Sequence, residues 1–398
     1  MNNDKLIRLT WKYICTFLIA LLMMAPALSP TARAQGVQSI AKNPVATSAP
    51  PVPTAKESAA LQNVLTSLAG LPEADMLIYI SPHRIIADAA PRVLPEKDLA
   101  GMREGLSKMK TETGIDPSSI DYVVLQVRFK KPTADLNFSL PEFMVVASGD
   151  FKAAALMAFA QEAGKGNMRD ENYGSKTLSV ITIDEIAKEA EKTPLLKSLS
   201  EMAIVMLNGN TIAVGTPAYV KAAIDAGEGK GRISPDLLSS LMRDPTALAS
   251  AAGSPWTAFA KTFALLGTEN NPRASKCDSK LGDYYAAITT DGTSFKLRGA
   301  MNADNPDTAK IIKSLLSSLL QQATGLTTDK NAEAVLSSLV ITPTETEVLV
   351  QAEVSQQAVA DFIREETKPK KPEATTTSTP TTKPKPKRRR RPRHRARP

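Results

Sequence analysis

The chain runs to 398 residues, 42% apolar and 23% charged, with 28 Pro, 20 Gly, 2 Cys, 2 His and a formal charge of +8. That apolar fraction supports a packed body and excludes wholesale disorder, while no apolar run is long enough for a multi-span membrane protein. Two histidines and two cysteines leave little material for zinc sites, a disulfide framework, or Ser-His-Asp and Cys-His catalysis.

Residues 1–34 read as a secretory signal. Lys5, Arg8 and Lys12 form a positive start, Tyr13 to Leu28 is apolar up to Pro26, and Ala32-Arg33-Ala34 has the small-x-small form of a signal peptidase site. The expectation is export to the periplasm, the outer surface or the medium. Cleavage after Ala34 leaves one cysteine, Cys277, so no internal disulfide is expected. Residues 35–58, with Pro44, Pro50, Pro51 and Pro53 and no periodicity, read as an extended linker.

About 310 residues then carry the folded body, read as a first half over 59–227 and a second over 233–366. Leu61 to Leu71 has helical spacing, and Met76 to Ile80 reads as a strand. A helix follows with Leu99, Met102, Leu106 and Met109 on one face. Tyr122 to Phe129 and Phe143 to Ala147 form a strand pair, with Gly149-Asp150 capping a helix over Phe151 to Ala163. Thr177 to Leu199 adds a strand and a helix. Met202 to Leu207 and Thr211 to Val214 flank Asn208-Gly209, a dipeptide suited to a tight hairpin because both residues tolerate positive φ. Thr216-Pro217 starts a helix that Gly227 closes. We read Gly227 to Arg232 as a flexible connection between halves, since its Gly-x-Gly-x-Gly lacks phosphate-loop spacing.

The second half is expected to repeat that order. Leu237 to Ala251 reads as a helix and Trp256 to Ala260 as a strand. Tyr284 to Thr290 and Ser294 to Met301 pair around Asp291-Gly292, and Ile311, Ile312, Leu315, Leu316, Leu319 and Leu320 then line one helix face. Leu339 to Ile341 and Val348 to Val354 form a last pair, with Ser355 capping a helix that carries Val359, Phe362 and Ile363. The predicted class is α+β: two similar halves of antiparallel hairpin-helix units, with helices packed on one face of the sheet and disordered termini.

Residues 367–398 are low in complexity, a Thr-rich piece followed by a basic run, and should be disordered. Six Lys and seven Arg stand there against Glu373, a charge of +12 that leaves the body at −7 and the signal at +3. Lys383, Lys385, Lys387, Arg388, Arg389, Arg390, Arg391, Arg393, Arg395 and Arg397 are the candidate polyanion-binding residues. Clustered cations attract polyanions through counterion release. Behind a signal peptide the fitting partners are an anionic envelope polymer, lipid headgroups or extracellular nucleic acid.

The body offers no comparable chemistry. His83 is its one histidine, in Ser81-Pro-His-Arg84, and no Gly-x-Ser-x-Gly elbow occurs. No catalytic residues, metal ligands or cofactor are expected. With Leu71-Pro-Glu-Ala-Asp75 leading into a strand and hairpin-helix units such as Asn208 to Pro217, the body resembles uncharacterised exported bacterial proteins of repeated hairpin-helix build. The resemblance implies export and an α+β fold, and no activity. The resulting expectation is a non-catalytic cell-envelope scaffold or binding protein. The alternative is an exported hydrolase using carboxylates or a Ser/Lys site.

Overall fold

A computed structural model describes residues 55–114, 116–129, 141–150, 154–155, 157–158, 167–182, 200–254, 281–326 and 336–367. Helix α1 spans Ala55–Leu68 and strand β1 Met76–Ile80. A short helical passage over 82–93 leads to α2, Glu96–Thr113, which Gly114 closes with φ 71° and an N–H bonded to the Lys110 carbonyl. Strands β2 (Ile120–Phe129), β3 (Pro141–Gly149), β4 (Met168–Tyr173), β5 (Lys176–Thr182), β6 (Glu201–Asn208) and β7 (Thr211–Gly215) come next. Helices α3 (Pro217–Gly227) and α4 (Pro235–Leu241) precede β8 (Ala249–Gly253), β9 (Leu281–Thr290) and β10 (Ser294–Ala303). The described chain ends with α5 (Pro306–Leu326), β11 (Val340–Pro343), β12 (Glu347–Ser355) and α6 (Gln356–Thr367).

The class is α+β. All twelve strands form one antiparallel sheet in the order β11-β12-β10-β9-β8-β1-β2-β3-β7-β6-β5-β4. The stretches read as two halves therefore meet edge to edge, through β1 and β8, within a single sheet. The hairpins stand at the expected turns: β6 and β7 around Gly209, where neither Asn208 nor Gly209 takes the positive φ expected of them, β9 and β10 around Gly292 at φ 95°, β11 and β12 around Thr344. Asn305 accepts from Thr308 N at the start of α5, and Ser355 accepts from Ala358 N at the start of α6.

Side-chain alternation puts helices on both faces of the sheet, which corrects the single helical face expected from the pattern. Leu77, Tyr79, Tyr122, Val124, Met144, Val146 and Val205 point to one face, where Leu68 of α1, Tyr219, Val220 and Ile224 of α3, and Leu238 and Leu241 of α4 bury them. Tyr285 belongs to that face, so its neighbour Tyr284 and Tyr284's cross-strand partner Met301 point to the other. There Met301, Ile341 and Val348 meet Ala309, Ile312 and Leu316 of α5. Sequence alternation within one strand sorts residues onto two faces, and only the register across strands says which faces coincide.

Two further expectations change. The helix read over Leu237 to Ala251 stops at Leu241, because Asp244 turns the chain by accepting from Thr246 and Pro245 cannot continue a helix. The alanines beyond it form β8, whose five residues are all buried between β1 and β9. Alanine's helix preference, a few tenths of a kcal/mol over most residues, yields to that burial. The strand read at Trp256 to Ala260 lies outside the described residues, as does the helical part of Thr177 to Leu199. Gly227 to Arg232 is a pinned turn rather than a flexible connection. Gly231 O accepts from Glu73 N at 2.8 Å, Leu71 O accepts from Ile233 N at 2.9 Å, and Arg232 bridges to Pro72.

The sheet's edges carry their own protection. Edge strand β4 reads Met-Arg-Asp-Glu-Asn-Tyr, and edge strand β11 is four residues long and ends on Pro343, which has no N–H to offer a further strand.

At the seam, a Cβ on Gly253 would stand 2.5 Å from Asp75 O and 2.9 Å from Met76 Cα, both backbone atoms that cannot swing away. Gly253→Ala should cost about 2 kcal/mol, lowering the melting temperature by several degrees. Gly101→Ala, in α2 with nothing within 4 Å of the new Cβ, should leave it unchanged or slightly raised. Thermal unfolding followed by circular dichroism checks both.

Candidate functional site

The ten cationic tail residues from Lys383 to Arg397 lie outside the described residues, as do Cys277 and Trp256. Their role rests on composition.

His83 follows β1 in the short turn Pro82–Arg84 and is exposed. Asp121, at the start of β2, has its carboxyl pushed above the ordinary range, first by desolvation and then by the charge of Asp150, with His83 opposing. Ser81 is buried; its side chain hydrogen-bonds Tyr79 and its N–H donates to Leu248 O. Among the described residues no serine is hydrogen-bonded to His83, and no three His, Cys, Asp or Glu side chains are grouped to hold a metal ion. The charges of Asp150 and His83 thus act on Asp121 at neighbouring strand ends.

Most other described carboxylates are engaged in holding the fold. Asp291 accepts from the backbone N–H of Thr293 and of Ser294, each at 2.9 Å, and from Lys296 Nζ at 2.7 Å. Lys296 and those N–H groups hold its carboxyl far below the usual range. Asp116 caps the turn at Pro117–Ser119, and bonds from Ser118 and Lys110 lower it to about 2. Asp75 Oδ2 accepts from Phe129 N at 2.7 Å.

One polar cluster is sunk into the face that α1, α3 and α4 cover. Arg128 Nη2 and Nε donate to Glu142 Oε2 at 2.6 and 3.0 Å across the β2–β3 pair, and the guanidinium lies 4.6 Å from the Tyr219 ring centre. Tyr219 donates its hydroxyl proton to Glu73 O at 2.9 Å, and burial raises its ionisation well above a free tyrosine's. Gln126, on the same face, is fully buried, and neither its Oε1 nor its Nε2 has a hydrogen-bond partner. A second Arg-aromatic-carboxylate set joins α4 to the sheet: Arg243 lies 4.5 Å from the Tyr285 ring and donates to Glu347 at 3.2 Å. Both sets bind elements together.

Open volume lies between α1 and α4. A groove of about 660 Å³ has Leu65 and Ala69 on one wall and Pro235, Leu238 and Met242 on the other. Gln62, Thr66 and Ser239 form its rim. Gly70 and Arg232 complete the lining, and Arg232 is its one charged residue; its Nε donates to Ala226 O at 2.9 Å and its Nη2 to Gly227 O at 3.5 Å. That size falls within the range of small-molecule sites. Sequence reasoning missed it because its walls lie about 170 residues apart and Arg232 was assigned to a connection.

No protein-family model and no curated protein matches the chain. Among solved structures, crystal form III of TP0453 superposes with a TM-score of 0.40 at 11% identity, over 75% of this chain and 97% of that one. Crystal form I of TP0453 gives 0.37 at 12% identity, over 75% and 96%. Likenesses of this degree carry no argument about the chain's function.

The lowered carboxyl of Asp291 makes stability depend on pH. A folded-state pKa below the unfolded value of about 3.9 gives stabilisation that is present above that value and lost as pH falls. Asp291→Asn should therefore lower the urea midpoint at pH 7, and the gap from the parent should narrow steadily below pH 4. A gap independent of pH would assign the effect to the turn's hydrogen bonds alone.

Proposed function

We propose that this chain is an exported, non-catalytic scaffold or binding protein of the cell envelope, whose basic tail holds it against an anionic surface or polymer. The observation that carries the reading is the charge split, +12 over residues 367–398 against −7 over 35–366. A folded body with acidic balance resists non-specific adsorption to anionic surfaces, so attraction is confined to the tail. The stretch from Thr367 to Thr382 supplies a spacer between the end of α6 and the first residue of the Lys-Pro-Lys run. Near an anionic membrane each basic residue contributes about 1 kcal/mol before losses to ordering. No helix among the described residues is long and apolar enough to cross a membrane.

The body's engagement of its carboxylates in turns and ion pairs supports a binding role over the hydrolase alternative. The arrangement that favours a hydrolase is Asp121 with Asp150 and His83, and it stands on exposed strand ends rather than in a cleft.

The test is retention on sedimented vesicles containing phosphatidylglycerol, comparing Gln35–Pro398 with a chain ending at Glu366. At about 50 mM salt the full chain should be retained at least tenfold better, and the difference should collapse above about 300 mM. Equal retention of the two chains at low salt would overturn the proposal.

A further inference from the structure

We propose that the groove between α1 and α4 is a site for an anionic amphiphile, with an acyl chain between the two helices and its acidic head at Arg232. The inference deepens the binding reading of the body and does not depend on the tail. Three observations converge on it. The walls are apolar: Leu65, Ala69, Pro235, Leu238 and Met242 offer carbon surface that an alkyl chain covers and water does not. The lining contains no carboxylate, and its single charged residue, Arg232, is met by two backbone carbonyls and by no acid, which leaves its remaining N–H donors to an anion. Arg232 is also held in position: its backbone bridges to Pro72, and its Nε and Nη2 donate to Ala226 O at 2.9 Å and Gly227 O at 3.5 Å at the end of α3, while the residue remains exposed. A planar guanidinium fixed in this way suits carboxylate or phosphate oxygens. From Gln62 to Leu68 the helix wall runs about 9 Å, enough for part of a medium-length alkyl chain, with the rest lying along the open rim.

A protein segment would satisfy the apolar walls equally well, but it gives no reason for a lone, anchored cation in the lining. Charge complementarity therefore selects the amphiphile. A carboxylate or a phosphate head meets the same requirement, and the test separates them.

The full chain is titrated calorimetrically with dodecanoate, dodecyl phosphate and neutral 1-dodecanol, all below their aggregation concentrations. One saturable site is expected for at least one of the two anions, and the tighter of them identifies the head group. Ser239→Trp fills the groove from an exposed rim position and should abolish the saturable component for every probe. Whatever remains in that variant measures unspecific attraction to the tail. Arg232→Gln should weaken the anion about tenfold, leave dodecanol within twofold, and be rescued by Arg232→Lys. Absence of saturable anion binding, retention of it in Ser239→Trp, or equal weakening of anion and alcohol by Arg232→Gln would each overturn the proposal. Vesicle retention should be the same for both variants as for the parent, so failure at the groove and failure of the tail reading are read separately.

Discussion

Five antiparallel residue pairs, Met76 with Gly253 through Ile80 with Ala249, hold the architecture together. Every other strand is reached outward from this seam, seven positions to one side and five to the other counting the seam strands themselves. The constraint it imposes is steric. With β8 buried along its whole length between β1 and β9, side chains there are held to Ala, Ser and Gly, and at Gly253 even a methyl group meets backbone. Asp75 ties the same corner from three directions. Its N–H donates to Val127 O, its carbonyl accepts from Ser254 N, and its carboxylate accepts from Phe129 N. A residue read from sequence only as part of a phrase leading into a strand thus clamps β1, β2 and the end of β8.

The face covered by α1, α3 and α4 follows from that seam. β1 and β2 carry Leu77, Tyr79, Tyr122 and Val124 onto one side, where α1 from upstream and α3 and α4 from downstream cover them. Their packing is sealed by polar contacts that suit a buried face: Ser67 with the Tyr122 hydroxyl at 2.5 Å, Tyr219 with Glu73 O, and Arg128 with Glu142 under Tyr219. Gln126 is the exception, a fully buried amide whose polar atoms find no partner, and burial of such a group costs stability.

Local chemistry was legible in the sequence, and long-range geometry was not. Hairpins around Asn208-Gly209 and Asp291-Gly292 declare themselves because turn conformation is decided within a few residues, and Asn305 and Ser355 mark helix starts for the same reason. β8 was read as helix because its alanines carry no β preference; only the two flanking strands make it a strand. β4 was overlooked because an edge strand need not alternate in hydrophobicity, and Arg169, Asp170 and Glu171 look like loop. The face each helix chooses depends on register summed across strands, which no single segment reveals. The same limit governs function. Attraction of the tail to polyanions is a property of composition and can be read directly, whereas the groove exists only because the Arg232 turn is pinned against Pro72 beside α1.

If the seam is what makes one sheet of the two stretches, their opening must be coupled, and hydrogen exchange tests that coupling most directly. Peptides covering 76–80 and 249–253 should be the slowest to exchange and should exchange together, with the free energy of global unfolding, while β4 and β11 at the edges exchange sooner. Exchange at the seam that is faster than in β3 and β10, or two separate unfolding events on either side of it, would contradict the account.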